Sequence, residues 1–244
     1  MDMYNEGNSN IREALEYLTG LGKTEILDVN DKKFSTKEIF SVRDPKPAPI
    51  EATTLTALVD YLKSNADKLS SEKLIIHVVS PAKVILYSPL RDDKDREAYI
   101  ECNALTPDNI LFDRFMEVEN FNIMLQSSFV DNTDRTLLLK VVGNIQDKAV
   151  KEVGDDGVTQ AVTVKTGVAH VDNVKVPNPV LLAPYRTFPE VLQPESKFIF
   201  RMQTGPDAAL FEADGGAWRN EAMSNIKQYL TDELEGLSNI EILA

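Results

Sequence analysis

The chain has 244 residues, 43% of them hydrophobic and 27% charged, with a net charge of −13. That balance supports a packed core and points to a globular protein, not a disordered one. It also disfavours a general binder of phosphate backbones, and no apolar run reaches the ~20 residues that a membrane span needs. The single cysteine, Cys102, allows no intrachain disulfide and fits a reducing compartment. The opening Met1-Asp-Met-Tyr-Asn-Glu-Gly7 has neither the basic nor the apolar region of an export signal, so a cytoplasmic setting is expected.

In chain order, Asn10–Leu18 reads as a short helix capped by Asn10 and stopped by Gly20, with Ile11, Ala14, Leu15 and Leu18 on one face. Strands are expected at Glu25–Val29 and Phe34–Val42. The alternating prolines of Asp44-Pro-Lys-Pro-Ala-Pro49 favour an extended path and mark a boundary, with an N-terminal arm over 1–49 and a main body over 50–244. The body opens on a helix capped by Thr53, with Leu55, Leu58, Val59 and Leu62 at helical spacing. Lys73–Val79 and Lys83–Tyr87 form a hairpin about Ser80-Pro81, and Ala98–Leu105 is a third strand. Phe115–Phe129 and Arg135–Val142 have helical patterns, the latter capped by Thr133 or Asp134.

From Ile145 the pattern turns to β. Ala149–Val153, a turn at Gly154-Asp-Asp-Gly157 and Val158–Ala169 read as a hairpin, followed by a proline-punctuated crossing loop or broken edge strand. Phe198–Gln203 and Ala208–Ala213 form a closing hairpin. Asp214-Gly-Gly-Ala-Trp218 then turns into a helix that buries Trp218, Ala222, Ile226, Tyr229 and Leu230, and Ile240–Leu243 is a last strand. Without a regular βαβ alternation, the expected fold is α+β, a mixed or antiparallel sheet with several flanking helices behind an extended N-terminal arm.

Chemistry is sparse. His77 lies within an apolar strand, His170 reads as a surface turn beside Asp172, and Cys102 as a buried thiol. No phosphate loop, nucleophile elbow or zinc spacing is present, and Asp28-Val-Asn-Asp31 lacks the glycine and glutamate of a calcium loop. The sharpest enzymatic reading is a metal-dependent nuclease, with Glu195 and Lys197 beside the strand at Phe198 and Asp172 as an upstream partner. Asp31-Lys-Lys33 and Asp92-Asp-Lys94 match the same short pattern equally well, so it has little specificity. Glu212 and Asp214 fall on one side of a strand near Arg201 or Arg219, an arrangement that suits either acid–base work or a surface ion-pair cluster.

The stretches Lys73–Pro81, Gly154–Gln160, Val176–Pro179, Pro184–Phe188, Gln193–Arg201 and Ala209–Trp218 together resemble the phage and prophage proteins typified by YfdQ of enteric prophages, a family of unknown function. The resemblance covers most of the chain after about Ile50. It implies a temperate-phage origin and expression inside an infected or lysogenic bacterium, and it carries no active site to transfer.

The combined expectation is a non-enzymatic protein with no catalytic, cofactor or metal residues. It self-associates into a homo-oligomer, a ring or closed shell, and acts by binding or assembly, with a host protein as a second candidate partner and neither membrane nor nucleic acid as one. The alternatives are an inhibitor that presents its acidic surface to a host defence or nucleic-acid enzyme, and an accessory to phage recombination. Trp218 is expected in a core or interface near Phe211 or Phe200.

Overall fold

The computed structural model describes residues 6–29, 32–36, 46–91, 94–143, 153–155, 160–166, 170–203 and 207–244. It divides into two units, Met1–Lys46 and Pro47–Ala244. In the first unit α1 (Glu6–Leu21) is followed by a two-stranded antiparallel hairpin, β1 (Ile26–Val29) and β2 (Lys32–Ser35). The helix is longer than its apolar spacing predicts, so Asn10 and Gly20 lie inside it and cap neither end. The helix takes in Glu6–Ser9 as well, Gly7 included, and closes only where Gly22 and Lys23 donate to the carbonyls of Thr19 and Gly20. The expected strand Phe34–Val42 lies beyond residue 36 outside the described residues.

The second unit is α+β, with open sheets. Its first sheet has the order β14-β4-β5-β6-β3, built from β3 (Ile50–Ala52), β4 (Leu74–Ser80), β5 (Lys83–Tyr87), β6 (Ala98–Asn103) and β14 (Ile240–Leu243). The strands β4, β5 and β6 are antiparallel, while β3 joins β6 and β14 joins β4 in parallel. Two helices, α2 (Leu55–Ser64) and α5 (Trp218–Glu233), pack against each other and against this sheet. Alternation in β4 sends Leu74, Ile76 and Val78 into the core and leaves His77 and Val79 exposed on the opposite face. Leu55, Leu58, Leu62, Ile226 and Leu230 close that core from the helix side.

The cap of α2 is Thr54, not Thr53. Its hydroxyl accepts the Ala57 N–H at 3.3 Å, and Asn65 ends the helix in the left-handed region at φ 49°.

The second sheet has the antiparallel order β11-β12-β13-β7, from β7 (Met116–Glu117), β11 (Val180–Leu182), β12 (Ser196–Gln203) and β13 (Asp207–Glu212). The helices α3 (Val118–Ser128) and α4 (Thr133–Gly143) complete a second core around Phe121, Phe129, Phe198 and Phe200. The predicted helix from Phe115 starts three residues late. Phe115 makes an edge contact with Phe211 at 6.1 Å and Met116 pairs with β13, so tertiary contacts take those residues out of the helix. The cap of α4 is Asn132, whose side-chain oxygen accepts the Arg135 N–H at 2.8 Å, and neither Thr133 nor Asp134.

A third sheet, order β10-β9-β8, consists of β8 (Val153–Asp155), β9 (Gln160–Thr166) and β10 (His170–Lys175). Gly154 pairs with Ala161 inside a strand, so it is not the turn residue its sequence suggests, and His170 begins a strand opposite Thr166. Residues 149–152, 156–159 and 167–169 of the expected hairpin lie outside the described residues. Of the proline-rich crossing, Val180–Leu182 is an edge strand and the Asn178–Pro179 bond is cis.

Candidate functional site

The segment 183–195 threads between the two cores of the larger unit and bonds to both. On one side Val130 donates to the Ala183 carbonyl and Tyr185 to that of Ser128. On the other, the Thr187 hydroxyl donates to the Pro81 carbonyl in the β4–β5 turn, and Phe188 and Val191 are buried beneath α2 and α5. Glu190 accepts from the backbone N–H and hydroxyl of Thr56 at 3.1 and 3.2 Å, placing a carboxylate on the first turn of α2. Gln193 holds the strap's own curve: its oxygen accepts the N–H groups of Arg186 and Thr187, and its amide donates to Phe188.

Arg186 stands at the centre of this strap. Its side chain is only 8% exposed, and its guanidinium donates to Glu212 Oε1 at 2.6 Å and Ser196 Oγ at 2.5 Å. The same group stacks on Trp218, 3.8 Å from the ring centre, with the Phe198 ring at 5.8 Å. Burial pulls the Arg186 pKa down to about 10 against the upward pull of Glu212 and Asp214, so the group is a cation at neutral pH.

Three elements meet on that cation: the end of β13 through Glu212, the start of β12 through Ser196 and the start of α5 through Trp218. Asp214 completes the corner. It accepts the N–H of Gly216 at 2.9 Å and of Trp218 at 3.4 Å. Burial alone would raise its pKa, but the bonds to the backbone, the neighbouring Ser196 hydroxyl and the Arg186 cation outweigh it and hold the carboxyl below its ordinary value. Gly215 and Gly216, at φ 64° and 82°, supply the left-handed turn, and a Cβ on Gly216 would meet the Arg219 guanidinium.

The Arg186 cluster is an electrostatic rivet. The cation has two carboxylate neighbours and a ring, and the Ser196 hydroxyl accepts from it. The sequence picks out Glu212 and Asp214 but pairs them with the wrong arginines. Arg201 is on β12 opposite Ala209 and donates to the Phe200 carbonyl, and Arg219 stacks on Trp218 at 4.9 Å. Trp218 is buried as expected, against Arg186 and Arg219. The available sequence signal for Arg186 is a single charge inside the otherwise uncharged, largely apolar run Val180–Phe188.

The nuclease residues lie on two elements, with Glu195 and Lys197 two residues apart at the start of β12 and Asp172 on β10. Glu195 is exposed just before β12 and accepts from Asn132 at 3.4 Å, Lys197 is exposed on β12 opposite Leu181, and Asp172 belongs to β10 of the three-stranded sheet. Among the described residues no group of three or more His, Cys, Asp or Glu side chains is placed to hold a metal ion. Cys102 is fully buried, and burial, with Glu190 and Glu101, pushes its thiol up to about 12. A cavity of about 30 Å³ beside Tyr61, Asp67 and Asn239 has room for one or two waters.

The chain matches no protein-family model, no curated protein and no solved structure. Among the described residues no helix is long and apolar enough to cross a membrane.

Proposed function

We propose that the chain is a non-enzymatic protein of temperate-phage origin that works in the bacterial cytoplasm by self-association, with the first unit as its assembly arm. The observation that carries this reading is the surface of α1. Ile11, Leu15, Leu18 and Leu21 recur at helical spacing and are 60, 58, 62 and 59% exposed. Ile26, Leu27 and Phe34 of the adjoining hairpin are exposed as well. A continuous apolar stripe of this kind marks an interaction surface, and an isolated helix of 16 residues is marginal in water without one. Covering that stripe with the same element of another copy stabilises both arms at once.

Deletion of residues 1–46 tests the proposal, because the larger unit retains both of its cores. Light scattering on the intact chain should give a multi-subunit particle, and the deletion should reduce its subunit number. An unchanged number would remove the arm from the assembly, and a monomeric intact chain at all concentrations would remove self-association altogether.

A further inference from the structure

Four strand edges bound the two larger sheets, and three of them carry a protective device. At β11 the outer backbone is engaged: Asp134 accepts the Leu181 N–H at 2.8 Å and Asn132 donates to the Leu181 carbonyl at 3.1 Å. The β7 edge is only two residues long. The β3 edge is three residues long and is entered from Pro47 and Pro49, which have no N–H to offer.

The fourth edge, β14, has the sequence Ile240-Glu-Ile-Leu243, with neither proline nor lysine, and among the described residues no strand pairs with its outer side. Its backbone direction follows from one bond, the Leu74 N–H donating to the Asn239 carbonyl at 2.8 Å. In a parallel ladder this turns the N–H and C=O groups of 239, 241 and 243 toward β4, and those of Ile240 and Ile242 outward.

We propose that β14 pairs with the β14 of a second copy, antiparallel about a two-fold axis at Ile242, joining two five-stranded sheets into one. Two identical edges related by a two-fold axis are antiparallel by symmetry. With the axis at Ile242, each copy's Ile242 gives and receives one hydrogen bond, and Glu241 stands opposite the other copy's Leu243. An axis at Glu241 would set two carboxylates directly opposite each other, a destabilising pair in a chain already at −13. The prolines ahead of β3 weigh against the head-to-tail alternative, β14 on β3, which would propagate from copy to copy without an intrinsic stop. This inference rests on the self-association proposed above and gives it a second contact, separate from the arm. A contact that closes on itself and an arm that reaches a further neighbour are together sufficient to build a ring or shell.

The test uses the full chain in sedimentation velocity. Ile242→Pro deletes the outward N–H while sparing the β14–β4 ladder, which does not use it; Ile242→Ala keeps the N–H and removes a comparable side-chain contact. The proline variant should lose at least half of the subunits per particle, and the alanine variant should keep them. Independently of how well the proline variant folds, the double substitution Glu241→Cys with Leu243→Cys should give disulfide-linked dimers on mild oxidation, since 241 and 243 oppose each other as a non-hydrogen-bonded pair. Each single cysteine should link far less. A folded proline variant with an unchanged subunit number, or a double-cysteine protein that stays uncrosslinked, overturns the β14 interface while leaving self-association standing. An intact chain that is monomeric at every concentration overturns both.

Discussion

Replacing Arg186 by methionine keeps most of the side chain's length and apolar contact and deletes its charge. The carboxylate of Glu212 then loses a partner at 2.6 Å, Ser196 loses one at 2.5 Å, and Trp218 loses the cation stacked on its face. Hydrogen bonds to charged groups contribute ~1.5–3 kcal/mol each and a desolvated cation–π contact ~2 kcal/mol. The smallest of these values add to ~5 kcal/mol, but the side chain of Glu212 is 28% exposed and recovers part of its hydration, and a buried methionine needs no partner, so the net falls below that sum. The net loss is about 3–4 kcal/mol, within the range for removing one member of a buried ion pair. With a urea dependence of about 2.5 kcal/mol per molar, the midpoint falls by about 1–1.5 M. The only tryptophan is itself the reporter, so unfolding followed by Trp218 fluorescence reads the site directly. Arg186→Lys should recover only part of the loss, because an ammonium cannot bridge two oxygens in a plane while stacking on indole. A methionine variant within 0.3 M of the parent, on the order of the error of such an extrapolation, would refute the rivet and make Arg186 a passive core residue.

Trp218→Ala removes the ring that Arg186 and Arg219 both use, and it should cost ~3–5 kcal/mol. Its thermal midpoint and solubility should drop together, and an equally heat-resistant variant would count against a packing role. The stability profile against pH should fall on both sides. Asp214 is held below its ordinary value, largely by backbone bonds that overcome burial, and Glu101 by its bond to Lys83, so their contributions are present above about pH 4 and are lost as pH falls through the depressed native values. Burial raises Cys102 and Tyr99 to about 12 and lifts Tyr61 in the same direction, so ionisation favours the unfolded chain once pH passes about 9–10. Urea midpoints collected from pH 2 to 11 check both limbs, and a flat profile above pH 9 would contradict the alkaline one.

Local rules account for much of the architecture. The β4–β5 hairpin is readable because two β-rich apolar runs are broken at Ser80-Pro81, and α5 because Trp218, Ala222, Ile226 and Leu230 keep one face of the helix. The misreadings have two causes, a distant partner in one case and a nearby one in the others. Met116 leaves a helical pattern for the distant β13, while Gly154 leaves a turn pattern for the neighbouring β9 and Asn132, one residue ahead of Thr133, caps α4 through the nearby Arg135 N–H. The Arg186 cluster is the extreme case. Its contacts at Ser196, Glu212 and Trp218 follow no sequence period, so their convergence is visible only once the strap is laid between the two cores.

The first sheet of the larger unit is made from both ends of that unit's chain, with the entire second sheet encoded in between. The Asn239 amide reaches the Leu69 carbonyl across 170 residues of sequence. During synthesis, β3 through β6 leave the ribosome long before α5 and β14 exist. Until then Leu74, Ile76 and Val78 have α2, Leu69 and, later, Phe188 and Val191 of the strap to cover them but lack α5, while the second sheet receives all of its strands and both helices first. The half that begins first therefore finishes last. A premature stop anywhere before α5 leaves an apolar sheet face open, a state suited to capture by chaperones or to aggregation. Long-range closure of this kind is also intrinsically slow, so the growing chain passes through an interval in which its second half is folded and its first half is waiting.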